Sequence, residues 1–119
     1  MQTILLVEDD ESFRYAVERQ LVIAGYTVIA RSSGTAALDE IELKQPVDLM
    51  LADIRLGPGE LHGIALASMA RWRRPEIGIL LMTGYPEMMI AAEGTAYRTI
   101  MKPADLSLLV DEVKAALAA

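Results

Sequence analysis

The sequence predicts an α/β domain in which a five-stranded parallel sheet of order 2-1-3-4-5 is doubly wound by five helices. Three observations carry that expectation. Short apolar runs alternate with segments of helical periodicity from one end of the chain to the other. The runs are unbroken rather than alternating apolar and polar, which is the pattern of strands covered on both faces. Finally, Pro46, Pro58, Pro75, Pro86 and Pro103 all fall at boundaries or loops, where a missing N–H costs nothing.

In chain order, Ile4-Leu5-Leu6-Val7 is the first strand and runs into Glu8-Asp9-Asp10. A helix with Phe13, Val17, Leu21 and Ala24 on its apolar face follows and stops at Gly25. Tyr26 to Ala30 is the second strand. Ser32-Ser33-Gly34 then starts a helix that buries Ala37, Leu38 and Ile41. The third strand, Val47 to Ala52, delivers Asp53 to the loop Gly57-Pro58-Gly59. A helix from Gly63 to Arg73 presents Leu66, Ala67 and Ala70. The fourth strand, Ile77 to Met82, ends at Thr83-Gly84-Tyr85. A short methionine-bearing helix from Glu87 to Glu93 precedes the fifth strand, Tyr97 to Met101, which ends at Lys102-Pro103. Leu106, Leu109, Val110, Val113 and Leu117 mark the last helix.

Bulk properties narrow the function. At 119 residues the chain is expected to be one domain, 1–119, with no output domain in this chain. It has no cysteine, which removes disulfides, thiolate metal sites and thiol catalysis. No apolar run suits a membrane span and no export signal opens the chain, so a cytoplasmic protein is expected. A formal net charge of −6 speaks against a general nucleic-acid binder. The cluster Arg71-Trp72-Arg73-Arg74 reads better as cations at a helix C-terminus than as a nucleic-acid patch, and His62 as a loop residue.

The chemistry should sit where polar residues end the strands. Ligands of open parallel sheets bind beyond the carboxyl ends, where the strand order reverses. With order 2-1-3-4-5 the first and third strands are neighbours, which gathers Asp9, Asp10 and Asp53 around one crevice, with Thr83 and Lys102 on its far side. Clustered carboxylates call for a hard divalent cation: Mg²⁺, with Mn²⁺ as the alternative. Lys102 offers a compact charge and Thr83 a hydroxyl, both suited to phosphoryl oxygens. Asp53 is then a covalent phosphoryl acceptor. Taken singly these residues have plainer readings: Asp10 a helix N-cap, Asp53 a loop-entry aspartate, Thr83 a turn residue and Lys102 a solvated charge. Their joint placement favours the site.

This set, Asp9-Asp10, Asp53, Thr83-Gly84 and Lys102-Pro103, each at a strand end, resembles the receiver domain of bacterial two-component response regulators. The resemblance covers essentially the whole chain. It implies a flavodoxin-like fold and a phosphoprotein that catalyses its own phosphorylation and dephosphorylation without being a turnover enzyme. A histidine kinase or phosphotransfer protein would phosphorylate Asp53. The metal would be held by Asp10, Asp53 and the Arg55 backbone carbonyl, with Asp9 assisting through water. A cis bond before Pro103 would aim Lys102 inward. Output would leave through the fourth helix, fifth strand and fifth helix, a phosphorylation-dependent homodimer being one form of it, with no direct nucleic-acid or membrane contact.

The sequence departs from the family in two places. Pro58 and Gly63 stand five and ten residues after Asp53, so the loop is about two residues longer than usual, and Arg55 and Tyr85 face its rim. Thr99 occupies the position, three before the lysine, where an aromatic residue usually couples to the threonine, and the nearest aromatic is Tyr97. An order–disorder change of the short fourth helix is the expected substitute. Two other functions compete. One is a receiver-like interaction module independent of phosphorylation, against which the intact residue set counts. The other is a phosphatase of the haloacid dehalogenase kind, which would separate its two aspartates by one residue.

Overall fold

A computed structural model describes residues 1–43, 45–57, 62–103 and 105–118. The elements are β1 (Thr3–Val7), α1 (Glu11–Ile23), β2 (Thr27–Arg31), α2 (Gly34–Glu42), β3 (Leu49–Asp53), α3 (Gly63–Arg73), β4 (Gly78–Thr83), α4 (Pro86–Ala92), β5 (Arg98–Met101) and α5 (Leu106–Ala118). All strand pairs are parallel and the order is β2-β1-β3-β4-β5, as the sequence predicts. None of the described helices is long and apolar enough to cross a membrane.

The two faces of the sheet are read off the strands with a period of two. Leu5, Val7, Met50, Ala52, Ile79 and Leu81 face α2 and α3, where Ala37, Ile41, Leu66, Ala67 and Ala70 complete a core. Ile4, Leu6, Leu49, Leu51, Leu80 and Met82 face α1 and α5 and meet Val17, Leu21, Leu109 and Val113. β1 and β3 are central and almost fully buried, which is why their runs admit no polar interruption. Each such leucine contributes about 2–3 kcal/mol on burial. The chain crosses over α1 in one direction and over α2 in the other, so the strand order reverses between β1 and β3.

Local chemistry sets the helix boundaries. Asp10 caps α1 by accepting the Phe13 N–H, and Ser33 caps α2 through the Ala36 N–H. His62 stands at the α3 N-cap, with Nδ1 accepting the Ile64 N–H at 3.4 Å, a weak bond. The arginines at the end of α3 are engaged within the fold. Arg71 Nε donates to the Ile77 carbonyl and Arg73 pairs with Glu42. Arg74 donates to the carbonyls of Ile41, Leu43 and Gln45, which fastens the end of α2.

Candidate functional site

At the carboxyl edge of the sheet, β3 hands over Asp53 almost completely buried, and the pairing continues past it through Ile54 N–H to the Met82 carbonyl at 2.9 Å. Gly63 makes this approach possible. A Cβ at Gly63 would stand 2.4 Å from the Asp53 carbonyl oxygen and 2.7 Å from Ile54 Cα, closer than any side chain is tolerated. Asp53 Oδ1 accepts the Arg55 N–H at 3.1 Å, and Oδ2 accepts Lys102 Nζ at 2.7 Å.

Lys102 arrives from the end of β5, held by its own N–H to the Thr83 carbonyl at 2.7 Å. That backbone pairing aims it inward; no peptide bond among the described residues is cis, so the expected cis bond before Pro103 is not present. Its ammonium lies 2.6 Å from Glu8 Oε1 and 4.8 Å from the centre of the Phe13 ring. Burial opposes the charge on Lys102, but the hydrogen bonds and attraction of Asp53 and Glu8 outweigh it and hold the pKa above the ordinary lysine value.

The carboxylates that converge in the structure differ from the expected set by one residue. Asp10 lines the mouth of the site, but its Oδ1 is committed to the Phe13 N–H at 2.9 Å, as an N-cap requires. The acidic oxygens that converge within 4.8 Å of one another belong to Glu8, Asp9 and Asp53. Glu8 is fully buried, extending the β1 ladder through its N–H to the Arg31 carbonyl at 3.1 Å, while Arg14 donates to the Glu8 carbonyl at 2.9 Å. Glu8 Oε2 accepts the Asp10 N–H at 3.1 Å. Oε1 lies 2.6 Å from Lys102 Nζ as its ion-pair partner. Burial pushes the Glu8 carboxyl up to about 7; Asp9 and Asp53 add to the rise, and Lys102 and the Asp10 N–H oppose it. The signal that could have found Glu8 is the strand period. Leu6 and Glu8 fall on one side of β1, and a ladder continued past Val7 turns Glu8 inward.

The remaining predicted residues divide. Thr83 is fully buried at the end of β4, its Oγ1 accepting the Tyr85 N–H at 3.1 Å. Arg55 and Tyr85 form the rim as expected, and they also stack, with the guanidinium carbon 4.8 Å from the ring centre. With Glu8, Asp9, Asp10, Asp53, Gly57 and Lys102 they line a cavity of about 680 Å³. Pro58, the expected sign of the longer loop, lies outside the described residues. Thr99 Oγ1 is turned to the Tyr97 carbonyl at 3.3 Å, and the Tyr97 hydroxyl bonds Ser68 on α3 at 2.9 Å, so Tyr97 is tied to α3.

An all-oxygen, three-carboxylate cluster suits a hard cation such as Mg²⁺. The lysine beside it suits a phosphoryl oxygen.

Residues 4–114 match the family model described as "Response regulator receiver domain". The chain is 33% identical over 122 residues to the response regulator receiver protein CpdR of Brucella abortus, covering 100% of this chain and 99% of CpdR. It is 33% identical to the DNA-binding transcriptional regulator NtrC of Klebsiella pneumoniae over 94% of this chain but 24% of NtrC, so it spans about a quarter of that relative. Among solved structures, a response regulator receiver protein of Sinorhizobium medicae superposes with a TM-score of 0.87 at 28% identity, covering 99% of this chain and 95% of the other. Thermotoga maritima TrrA, solved with Mg²⁺ and BeF, gives 0.87 at 26% identity over 98% of this chain and 99% of TrrA. The chain belongs to the response regulator receiver domain family of two-component systems, whose members carry out phosphotransfer at an Mg²⁺-binding acidic pocket.

Proposed function

We propose that Asp53 is the phosphoryl acceptor of this receiver and that Lys102 and Thr83 hold the transferred group. The observation that carries this is the placement of Lys102 Nζ 2.7 Å from Asp53 Oδ2 at the edge of a 680 Å³ cavity open to a donor. A phosphohistidine of a histidine kinase or phosphotransfer protein enters in line. Its N–P bond breaks as an O–P bond to Asp53 forms, and the imidazole leaves and takes a proton from water. Lys102 then moves its hydrogen bond from the carboxylate to a phosphoryl oxygen. The Thr83 hydroxyl exchanges the Tyr85 N–H for another phosphoryl oxygen. Hydrolysis returns Asp53 as water attacks phosphorus, and the Arg55–Tyr85 stack narrows its approach.

Glu8, Asp9, Asp53 and the Arg55 backbone carbonyl are the groups that would hold Mg²⁺, or Mn²⁺ in its place. The ion, when bound, neutralises charge on the equatorial oxygens. The reading sets the protein in the cytoplasm beside its kinase. Ile90 of α4, Met101 of β5 and Leu108 of α5 are exposed on the face through which output, including a homodimer, would pass.

Incubation with Mg²⁺ and acetyl phosphate, followed by intact mass, tests the proposal. Wild type is expected to gain one phosphoryl group and Asp53→Asn none. A mutant that gains as much as wild type defeats it.

A further inference from the structure

We infer that the face of Phe13 is the third seat of the Lys102 ammonium, which makes Phe13 a positioning residue for the phosphoryl-transfer site. The inference rests on the Asp53 reading above. An ammonium has three donors. Here Asp53 Oδ2 at 2.7 Å and Glu8 Oε1 at 2.6 Å face it from the sheet, and the remaining approach is closed by the Phe13 ring, its centre 4.8 Å away. The lysine side chain is 22% exposed, so water cannot surround the charge and the ring quadrupole acts at low dielectric. Phe13 is well placed to be a fixed wall. It lies in the first turn of α1, its N–H held by the Asp10 cap at 2.9 Å, its ring against the core between α1, α5 and the sheet.

The chemistry explains why a ring suits this place better than a third acceptor. A carboxylate or carbonyl would fix the ammonium in one direction. An aromatic face attracts positive charge without choosing which N–H points where. Lys102 can therefore pivot from Asp53 Oδ2 to a phosphoryl oxygen while its third side stays satisfied. The N-cap role of Asp10 also acquires a consequence at the site, since it secures the residue that seats the lysine.

Phe13 is the only phenylalanine of the chain, so biosynthetic incorporation of fluorinated phenylalanine alters this ring alone. Successive mono-, di- and trifluorination drains the ring face of negative charge while shape is nearly kept and apolarity rises. The initial rate of phosphate uptake from acetyl phosphate is expected to fall stepwise, about fivefold by the trifluoro ring, with the melting temperature unchanged or higher. Phe13→Leu should fall at least as far, and Phe13→Trp should hold the rate. A flat series, in protein that does take up phosphate, means the ring only fills space and overturns the inference. Unlabelled protein that takes up none overturns the Asp53 reading and this one with it, and the unlabelled control tells the two failures apart.

Discussion

The two ends of the activation route are built to different standards. At the site, Glu8 and Thr83 are fully buried, Asp53 nearly so, and each is fixed by backbone pairing as well as by its side chain. At the output side, α4 buries only Ala92, its N-cap Tyr85 offers no side-chain bond, and β5 is exposed at both ends. Thr99 and Tyr97, which lie between the two, are turned away from the site, one to a neighbouring carbonyl and the other to α3. An element with few buried contacts opens at low cost, whereas a fully paired one moves only with the whole fold. On the proposal that Asp53 is phosphorylated, the expected switch is a small change at a stiff site that alters the ordering of a loose helix, through the Tyr85 N–H that the Thr83 hydroxyl holds.

The strongest way to break this contrast is at Lys102. Lys102→Met removes the cation shared by Glu8 and Asp53, and uptake from acetyl phosphate should slow by about a hundredfold or more, as read by intact mass over time. Next is the backbone beneath Asp53. Gly63→Ala places a methyl 2.4 Å from the Asp53 carbonyl oxygen, so urea unfolding should show a loss of about 1–3 kcal/mol. An alanine with wild-type stability would mean that the site edge is softer than its pairing suggests.

Glu8 gives a pH test of the same stiffness. Its folded-state pKa of about 7 lies above the ordinary glutamate value of 4.5, so the native state keeps a proton that the unfolded chain releases. The stability this contributes is fully present below pH 4.5 and is lost as pH rises toward about 7. In EDTA, wild type should lose stability across that window relative to Glu8→Gln. Parallel curves would show that Glu8 is better solvated than its burial implies.

The smallest expected effect on uptake belongs to the loose end. Thr99→Tyr should leave the rate of phosphate gain within about twofold, since the Thr99 hydroxyl is turned to the Tyr97 carbonyl, but should change partner binding or phosphate-dependent self-association in gel filtration. Equal loss of both would tie β5 to the chemistry and erase the contrast. Between these extremes, Tyr85→Ala should shorten the phosphoryl half-life a few-fold by opening the stack over Arg55 (about 1 kcal/mol), measured by mass after removal of donor.

Much of this was legible in the chain. Unbroken short runs such as Leu49 to Ala52, bounded by proline and polar loop residues, read as strands with both faces covered, and that calls for helices on each side of a parallel sheet. Asp53, Thr83 and Lys102 could be placed at one edge of the sheet because each closes such a run. The acidic stretch was less legible. Glu8, Asp9 and Asp10 are adjacent carboxylates of similar chemistry, and nothing local states which is the last residue of the strand and which the first of the helix. The stacked Arg55 and Tyr85, and the ring beneath Lys102, were hidden for a further reason. They join residues distant in sequence, and no periodicity encodes such contacts.

The sequence by itself determined the sheet, its order and the polar residues at its strand ends, because hydrophobic periodicity and proline placement act locally. Only the tertiary structure decided that Glu8 turns inward while Asp10 caps α1. One more ladder bond, from Glu8 N–H to the Arg31 carbonyl, buries the first carboxylate beside Lys102. The Phe13 N–H then claims the last one for the helix.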